Sequence, residues 1–344
     1  MIELSEPVLI VENLKTYFDI AEGTVKAVNG VSFTLDKNES LGVVGETGSG
    51  KSVTMKTIMG LIKKPGYIPE GKILFHTDEF SKDGKKEYID LTKLPLHQFT
   101  RIRGRHIAMI FQDPMTSLNP MYTVADQMIE TIMYHQNVSE LEARKRAVDL
   151  LKKVGIPNAD KRIDDYPFQF SGGQRQRIVI AIGLSCNPEL LIADEPTTAL
   201  DVTIQAQILE LMKDLQKEFN TAMIYITHDL SVVAEIADKV MVMYGGMQME
   251  MADVNTIFEK PIHPYTNMLL NCIPRHDAKK EDLEPIPGQP PIMLDPPNLC
   301  PFLPRCPKAT DRCKKELSEF KEIEPGHFVR CWNPILDTRT EGDK

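Results

Sequence analysis

The sequence predicts an α/β fold with an open sheet whose strand ends carry the chemistry, and three stretches predict it. The apolar run Leu41-Gly42-Val43-Val44 breaks into Gly45-Glu46-Thr47-Gly48-Ser49-Gly50-Lys51-Ser52, and a helix-like segment, Val53 to Leu61, follows. Leu190-Leu191-Ile192-Ala193 is a second apolar strand, ending in the adjacent carboxylates Asp194 and Glu195. Ala222 to Thr227 is a third, ending at His228. Short apolar runs bounded by turn residues read as buried strands, and ligands of open α/β sheets gather at the carboxyl ends of their strands.

The glycine-rich loop fits the phosphate-binding pattern. Its glycines let backbone N–H groups close around phosphate oxygens, Lys51 reaches the outer phosphates, and the Ser52 hydroxyl can hold Mg²⁺. The anion would sit on the N-terminus of the following helix. Gly45, Glu46, Thr47, Gly48, Ser49, Gly50, Lys51, Ser52 and Val53 are therefore the candidate nucleotide contacts, against the alternative of a glycine-rich turn that binds nothing.

Composition bounds the rest. A chain of 344 residues can bury a full core in one large or two modest domains. With 40 basic against 49 acidic residues the formal net charge is −9 and the pI about 5.5, which excludes a general polyanion binder but leaves room for a local basic patch. The best apolar run, Ile178 to Cys186, is half the ~18 to 20 residues of a membrane span. The first residues, Met-Ile-Glu-Leu-Ser-Glu-Pro, lack the basic and apolar regions of a secretory signal. A soluble chain with a cytoplasmic address is the expectation.

In order, Val8 to Val11 and Phe33 to Leu35 read as short strands around a turn at Glu22-Gly23, a small antiparallel layer beside the main sheet. Tyr17-Phe18 is an aromatic pair suited either to core packing or to stacking on a nucleotide base. Ile73 to Phe75 is strand-like, and Thr77 to Asp90 reads as a solvated hairpin. The run Ile107 to Phe111 sets Gln112 at a strand's carboxyl end. Thr123 to Leu151 is rich in helix formers, stopped by Val154-Gly155-Ile156-Pro157, and belongs to a helical lobe of about residues 115 to 188.

Within that lobe, Phe170-Ser171-Gly172-Gly173-Gln174 precedes the helical run Ile178 to Ser185. Ser171 is a plausible N-cap and the glycines leave N–H groups unobstructed, so this is either a second anion site or an ordinary capped helix start. Of the two strand-end carboxylates, Asp194 is placed to approach the metal held by Ser52, and Glu195 to orient or deprotonate an attacking water; the alternative is a solvated strand end. Val240 to Tyr244 closes the series of strands, and Val254 to Phe258 is a short helix.

Composition then changes: nine of the 23 residues from Pro285 to Pro307 are proline, which predicts an extended, turn-rich appendage. Four of the six cysteines, Cys300, Cys306, Cys313 and Cys331, lie in it or just beyond, with five, six and seventeen residues between them. That spacing is unlike a structural zinc pair. Four thiolates in a coil with little core of its own suit a [4Fe-4S] cluster, with zinc or free thiols as alternatives. Cys186 and Cys272 lie in apolar helix-like segments and read as core residues.

Together these motifs resemble the ATPase subunit of an ABC transporter over nearly the whole chain. The resemblance makes Lys51 and Ser52 part of Walker A, Gln112 the Q-loop, Ser171 to Gln174 the signature, Asp194 and Glu195 Walker B, Ala199-Leu200-Asp201 the D-loop and His228 the switch. The signature departs from the commoner pattern by opening with Phe170 in place of Leu. The implied architecture for residues 1–262 is a P-loop ABC ATPase domain: a RecA-like mixed sheet core, an antiparallel β subdomain and an α-helical subdomain. Residues 263–344 form the cysteine-bearing extension. It implies ATP and Mg²⁺ as cofactors, with Ser52, Gln112 and Asp194 toward Mg²⁺, and Glu195, His228, Gln112 and Lys51 as the catalytic set. Ser171, Gly172, Gly173, Gln174 and Asp201 would face the ATP of a partner subunit bound head to tail. Phe18, four residues after Leu14, matches the base-stacking aromatic better than Tyr17.

The segments Phe111-Gln112-Asp113-Pro114-Met115-Thr116-Ser117-Leu118-Asn119-Pro120, His263-Pro264-Tyr265-Thr266 and Pro285-Ile286-Pro287-Gly288-Gln289, with the cysteine tail, resemble the dipeptide and oligopeptide importer ATPases. Met115-Thr116-Ser117 suggests the D-type subunit, hence a heterodimer rather than a homodimer, with two transmembrane permease subunits, an extracytoplasmic peptide-binding protein contacted indirectly, and a peripheral place on the cytoplasmic face of the membrane. A nickel importer ATPase is the alternative within the class. A soluble ABC-type ATPase acting on nucleic acid or ribosomes is the alternative outside it; a single ATPase domain, the lack of sustained heptads and the negative charge argue against it. The cysteine site reads as a structural staple in preference to a redox sensor.

Overall fold

The computed structural model describes residues 6–81, 83–198, 200–272 and 286–336. Ala199 of the D-loop trio, Pro285, residues 1–5 of the N-terminal stretch and the last residues of the extension lie outside the described residues. Two compact units share the chain: Met1–Ile10, Thr34–Ser40 and Leu74–Ile226 form one, and Val11–Phe33, Leu41–Ile73 and Thr227–Lys344 the other.

In the first unit, strands Ile107–Ile110, Leu190–Asp194 and Ala222–Ile226 lie side by side and parallel, with Ile107 opposite Leu190 and Leu190 opposite Ala222. Every residue of the last two strands is buried. Strands buried on both faces carry near-continuous apolar sequence, which is how these runs read. Strand Lys72–Thr77 pairs antiparallel with Glu87–Asp90, giving the expected hairpin.

The helical lobe holds Val124–His135, Glu140–Lys153, Ala159–Arg162 and Gly172–Leu184. The helix-rich stretch from Thr123 to Leu151 is thus two helices. The break comes at Gln136, and Ser139, whose hydroxyl accepts from the Glu142 N–H (3.3 Å), starts the second.

One residue of the hairpin departs from the solvated reading. The Glu79 side chain is 3% exposed, held by Arg101 (2.6 Å), Arg105 (2.9 Å) and Nε2 of His106 (3.0 Å). Nδ1 of the buried His106 meets Glu189 (2.9 Å), which also binds Lys86 (2.9 Å). The network ties the hairpin to the strand Leu190–Asp194 that carries the paired carboxylates.

In the second unit, strands Leu9–Ile20 and Gly23–Leu35 pair across a tight turn, far longer than the short strands expected. Val11 and Leu14, and likewise Val28 and Val31, stand three apart with a positive φ at Asn13 or Gly30 between them, which breaks the plain alternation, and all four are buried. Strand Ser40–Val44 runs parallel to Lys239–Tyr244, with Leu41 opposite Lys239.

The strand series does not close at Tyr244. Lys239–Tyr244 pairs antiparallel with Met247–Asp253, which pairs with His327–Val329, and that strand pairs with Lys321–Glu324. The proline-rich extension therefore ends in a hairpin that continues the sheet. Its Phe302 is fully buried in the same core as Tyr244 and Tyr265.

The connection at 262/263 is tied to the strand before it. The buried Glu250 accepts from the N–H groups of Ile262 (2.8 Å) and His263 (2.9 Å), and Nε2 of His327 lies 2.8 Å from its Oε1. One carboxylate thus joins strand, connection and tail hairpin, because a buried charge must be fully paired.

Burial alone would lower the His106 value, but its hydrogen bonds to Glu189 and Glu79 and their charges outweigh burial and raise it above 6.5. The same contacts hold both carboxylates below their ordinary range, although burial acts the other way. A raised folded-state value means stability fully present below about pH 6.5, the unfolded value, and lost as pH rises through the folded value. The stability gap between the native chain and His106→Gln, measured by urea unfolding, should be wide at about pH 6 and narrow by about pH 9. A gap constant over that range would contradict a protonated His106.

Candidate functional site

The phosphate loop grows out of the fully buried strand Ser40–Val44 and enters helix Lys51–Ile58. Gly45 has φ +148°, and a Cβ there would stand 2.1 Å from the Met243 carbonyl oxygen. Gly50, at φ +98°, would place one 2.4 Å from the Ala27 carbonyl. The loop is shaped by close backbone approach on two sides, and only glycine permits it. The buried Lys51 donates through Nζ to the carbonyls of Gly45 (2.7 Å) and Glu46 (3.0 Å) and reaches Ser49 Oγ (3.4 Å). Its ammonium is thereby held over the concavity of the loop. Thr47 and Gly48 are exposed at the tip; Ser52 and Val53 are half-buried on the first helical turn. His228 is exposed in the same unit, and Asp229 beside it caps helix Leu230–Ile236.

Tyr17 and Phe18 take opposite faces of their strand. The Tyr17 hydroxyl donates to Asn29 Oδ1 (2.8 Å), with Lys26 Nζ 5.8 Å from the ring centroid. The Phe18 ring lies over Gly66, where a Cβ would come within 2.6 Å of it.

In the first unit, the structure brings together Gln112, Glu195 and Thr198. Gln112 Nε2 donates to Glu195 Oε2 (2.8 Å), and the Thr198 hydroxyl donates to the same oxygen (2.9 Å). The Glu195 N–H donates to the Ile226 carbonyl (2.8 Å), and its φ of +49° is left-handed. For a non-glycine residue that conformation costs about 1–2 kcal/mol, and such strain clusters where a side chain must be aimed. Asp194 is buried one residue earlier, at the strand's end.

Ser171 caps helix Gly172–Leu184: its hydroxyl accepts from the Gln174 N–H (3.4 Å), and the Ser171 N–H donates to Gln174 Oε1 (3.2 Å). Both readings of this segment are compatible, since the capped turn still presents the helix N-terminus and an exposed serine. A Cβ on Gly173 would meet Ile204 at 2.8 Å, which explains that glycine by packing. The Arg162 guanidinium sits 4.1 Å from the Phe170 ring centroid, a contact Leu could not make. Asp201 Oδ1 accepts from the Ile204 N–H (3.0 Å) and caps helix Val202–Phe219.

Cys300, Cys306, Cys313 and Cys331 line one pocket, together with His263 and Arg330. Burial pushes the thiol of Cys300 up to about 11 and that of Cys331 up to about 12, and raises Cys306 as well; the neighbouring thiols add to each shift. Thiols that resist ionising beside one another are drawn out as thiolates by a cationic centre. The Asn333 N–H already donates to Cys331 Sγ (3.3 Å). Among the described residues no three of these sulfurs lie mutually within 4.8 Å.

A family model described as ABC transporter matches residues 28–198, and one described as Oligopeptide/dipeptide transporter, C-terminal region, matches residues 249–313. The chain is 50% identical over 326 residues to the oligopeptide transport ATP-binding protein AppD of Bacillus subtilis (strain 168), covering 94% of this chain and 96% of that protein. This chain belongs to the ATP-binding subunits of oligopeptide and dipeptide ABC transporters. It is also 47% identical over 331 residues to the oligopeptide transport ATP-binding protein OppD of Escherichia coli (strain K12), covering 96% of this chain and 94% of that one. Among solved structures, it is similar to the dimeric, post-hydrolysis ATP-binding cassette MJ0796 bound to ADP and Pi. That likeness has TM-score 0.61 and 27% identity, and it covers 72% of this chain and 98% of that one. CbiO1 from Clostridium perfringens, part of the transporter complex cbiONQ, gives a TM-score of 0.59 at 28% identity, covering 74% of this chain and 92% of that one. The family makes this chain an ATP-hydrolysing subunit, and its loop and strand-end carboxylates are the groups such chemistry needs.

Sequence reasoning passes over Thr198, Tyr244, Tyr265 and Arg305. Thr198 follows Glu195 closely enough to be suspected; the others meet the loop only through the fold. Gly50→Ala should weaken ATP binding by at least about tenfold, roughly 1.4 kcal/mol, with unchanged circular dichroism. A dissociation constant equal to that of the native chain would contradict the close approach at Ala27.

Proposed function

We propose that this chain hydrolyses ATP to power the import of di- or oligopeptides through an ABC transporter. The observation that carries the reading is the glycine-walled loop with Lys51 held over it, in a chain related over nearly its full length to peptide-transport ATPases.

The residues divide the work. Backbone N–H groups of the loop, other than that of Glu46, which donates to the Tyr265 hydroxyl, and the Lys51 ammonium bind the phosphates, and Phe18 packs on the base, with Tyr17 beside it. Ser52, on the first turn of the loop helix, would hold Mg²⁺, which when bound neutralises phosphate charge. Glu195 accepts a proton from the attacking water, and its held carboxylate supports that role: Gln112 and Thr198 both donate to one of its oxygens and fix its direction. His228 reads the γ-phosphate. Ser171 to Gln174, with Asp201, complete the ATP site of a facing subunit, whose phosphates are then held by two helix N-termini.

The facing subunit is a second, non-identical ATPase, and the pair drives two membrane-spanning permease subunits from the cytoplasmic face of the membrane. Among the described residues no helix is long and apolar enough to cross a membrane. A peripheral subunit is consistent with that. The nickel-importer and nucleic-acid alternatives find no support.

The four tail cysteines hold a [4Fe-4S] cluster. The supporting observation is that the four half-buried cysteines line one shared pocket. Its role is that of a staple, fastening the coil before the tail hairpin to the core that contains Phe302.

Glu195→Gln should bind ATP as the native chain does, hydrolyse it at least about a hundredfold more slowly, and accumulate as a closed dimer with ATP in size-exclusion chromatography. Normal turnover would remove Glu195 from this role. Cys306→Ser, purified anaerobically, should lose visible absorbance and bound iron; unchanged iron content would reject Cys306 as a ligand.

A further inference from the structure

The cysteine tail reaches the phosphate loop directly, through Arg305. All five of its guanidinium N–H donors are engaged. Nη1 donates to Glu46 Oε2 (2.6 Å) and to the Tyr244 hydroxyl (2.9 Å), Nη2 to Glu46 Oε1 (3.1 Å) and the Ile286 carbonyl (3.1 Å), and Nε to the Pro287 carbonyl (2.8 Å). Its side chain is 7% exposed. A bidentate, buried fork of this kind fixes direction as well as charge, and lysine cannot reproduce it.

Glu46 is the second residue of the phosphate loop, and it is held at both ends. While Arg305 holds its carboxylate, its backbone N–H donates to the Tyr265 hydroxyl (3.0 Å). Tyr265 packs against Tyr244 (ring centroids 4.6 Å apart), and both pack against Phe302 (5.2 Å each). Phe302 and Arg305 lie between Cys300 and Cys306, so the segment that lines the cysteine pocket on one side buttresses the phosphate loop on the other.

The charge arrangement gives the contact a purpose. A carboxylate inside a loop that binds a polyphosphate repels it, and a paired guanidinium cancels that repulsion while holding the loop still. We propose that Arg305 is a positioning residue for ATP binding: it neutralises and orients Glu46, and so makes the loop's affinity for ATP depend on the conformation of the cysteine-bearing segment. This rests on the reading that the loop binds ATP and deepens it, by naming what in the tail regulates that site.

The test is a set of Mg-ATP dissociation constants, from isothermal titration of full-length chains purified anaerobically. Arg305→Ala should raise the constant by about tenfold, and Arg305→Lys should fall between that variant and the native chain. Adding Glu46→Gln to Arg305→Ala should recover most of the loss, since no unpaired carboxylate then remains; a merely structural loss would not be recovered. Cys306→Ser should also raise the constant, and should add little on top of Arg305→Ala. An Arg305→Ala chain that binds ATP as the native chain does would overturn the proposal, as would a loss that Glu46→Gln leaves untouched. A Cys306→Ser constant equal to the native one would overturn the dependence on the cysteine segment. A native chain that binds no ATP in the same titration would instead overturn the nucleotide reading itself, so the two failures are distinct.

Discussion

The phosphate loop keeps its shape because two carbonyl oxygens, of Met243 and Ala27, stand where side chains at Gly45 and Gly50 would be. That constraint reaches far along the chain. Met243 lies in strand Lys239–Tyr244, which must hold its position to a fraction of an ångström against the loop strand it parallels. It is braced on its other edge by Met247–Asp253, and that strand by the tail hairpin. The fully paired Glu250 locks these parts in place at a site where any unpaired charge would cost several kcal/mol. The tail hairpin thus braces the strands beside the loop strand.

The other unit solves a different problem, that of aiming a carboxylate. Glu195 follows a strand with every residue buried and turns immediately into a left-handed conformation, with Gln112 and Thr198 on one of its oxygens. A base held this way loses little freedom on reaching the transition state. The signature segment shows the same economy of parts: Ser171 serves as an N-cap and leaves the following helix end facing outward.

Legibility in the sequence followed the locality of each feature. The loop strand, the loop and its helix were readable because a single stretch encodes them, and the strands before Asp194 and His228 because burial on both faces leaves unbroken apolar runs. Met247–Asp253 escaped, since Gln248 and Glu250 point into the protein and break the apolar pattern. Gln248 spends its amide on both backbone groups of Ser32 (2.8 and 2.7 Å), and Glu250 is paired from residues far along the chain. Glu79 escaped for the same reason: a carboxylate in a charged hairpin looks solvated until His106 and two arginines close on it. The cysteine spacings could suggest a metal group but could not show that the four thiols share one pocket, and nothing near Arg305 in the sequence points to Glu46.

The central claim is that this chain is the energy-coupling subunit of a membrane transporter for peptides. The most direct measurement is to purify the tagged chain from membranes in mild detergent, without oxygen, and identify by mass spectrometry what travels with it. The account predicts two polytopic membrane proteins and a second, non-identical ATPase. Recovery in the soluble fraction alone, with nucleic acid or ribosomal proteins attached, would contradict it.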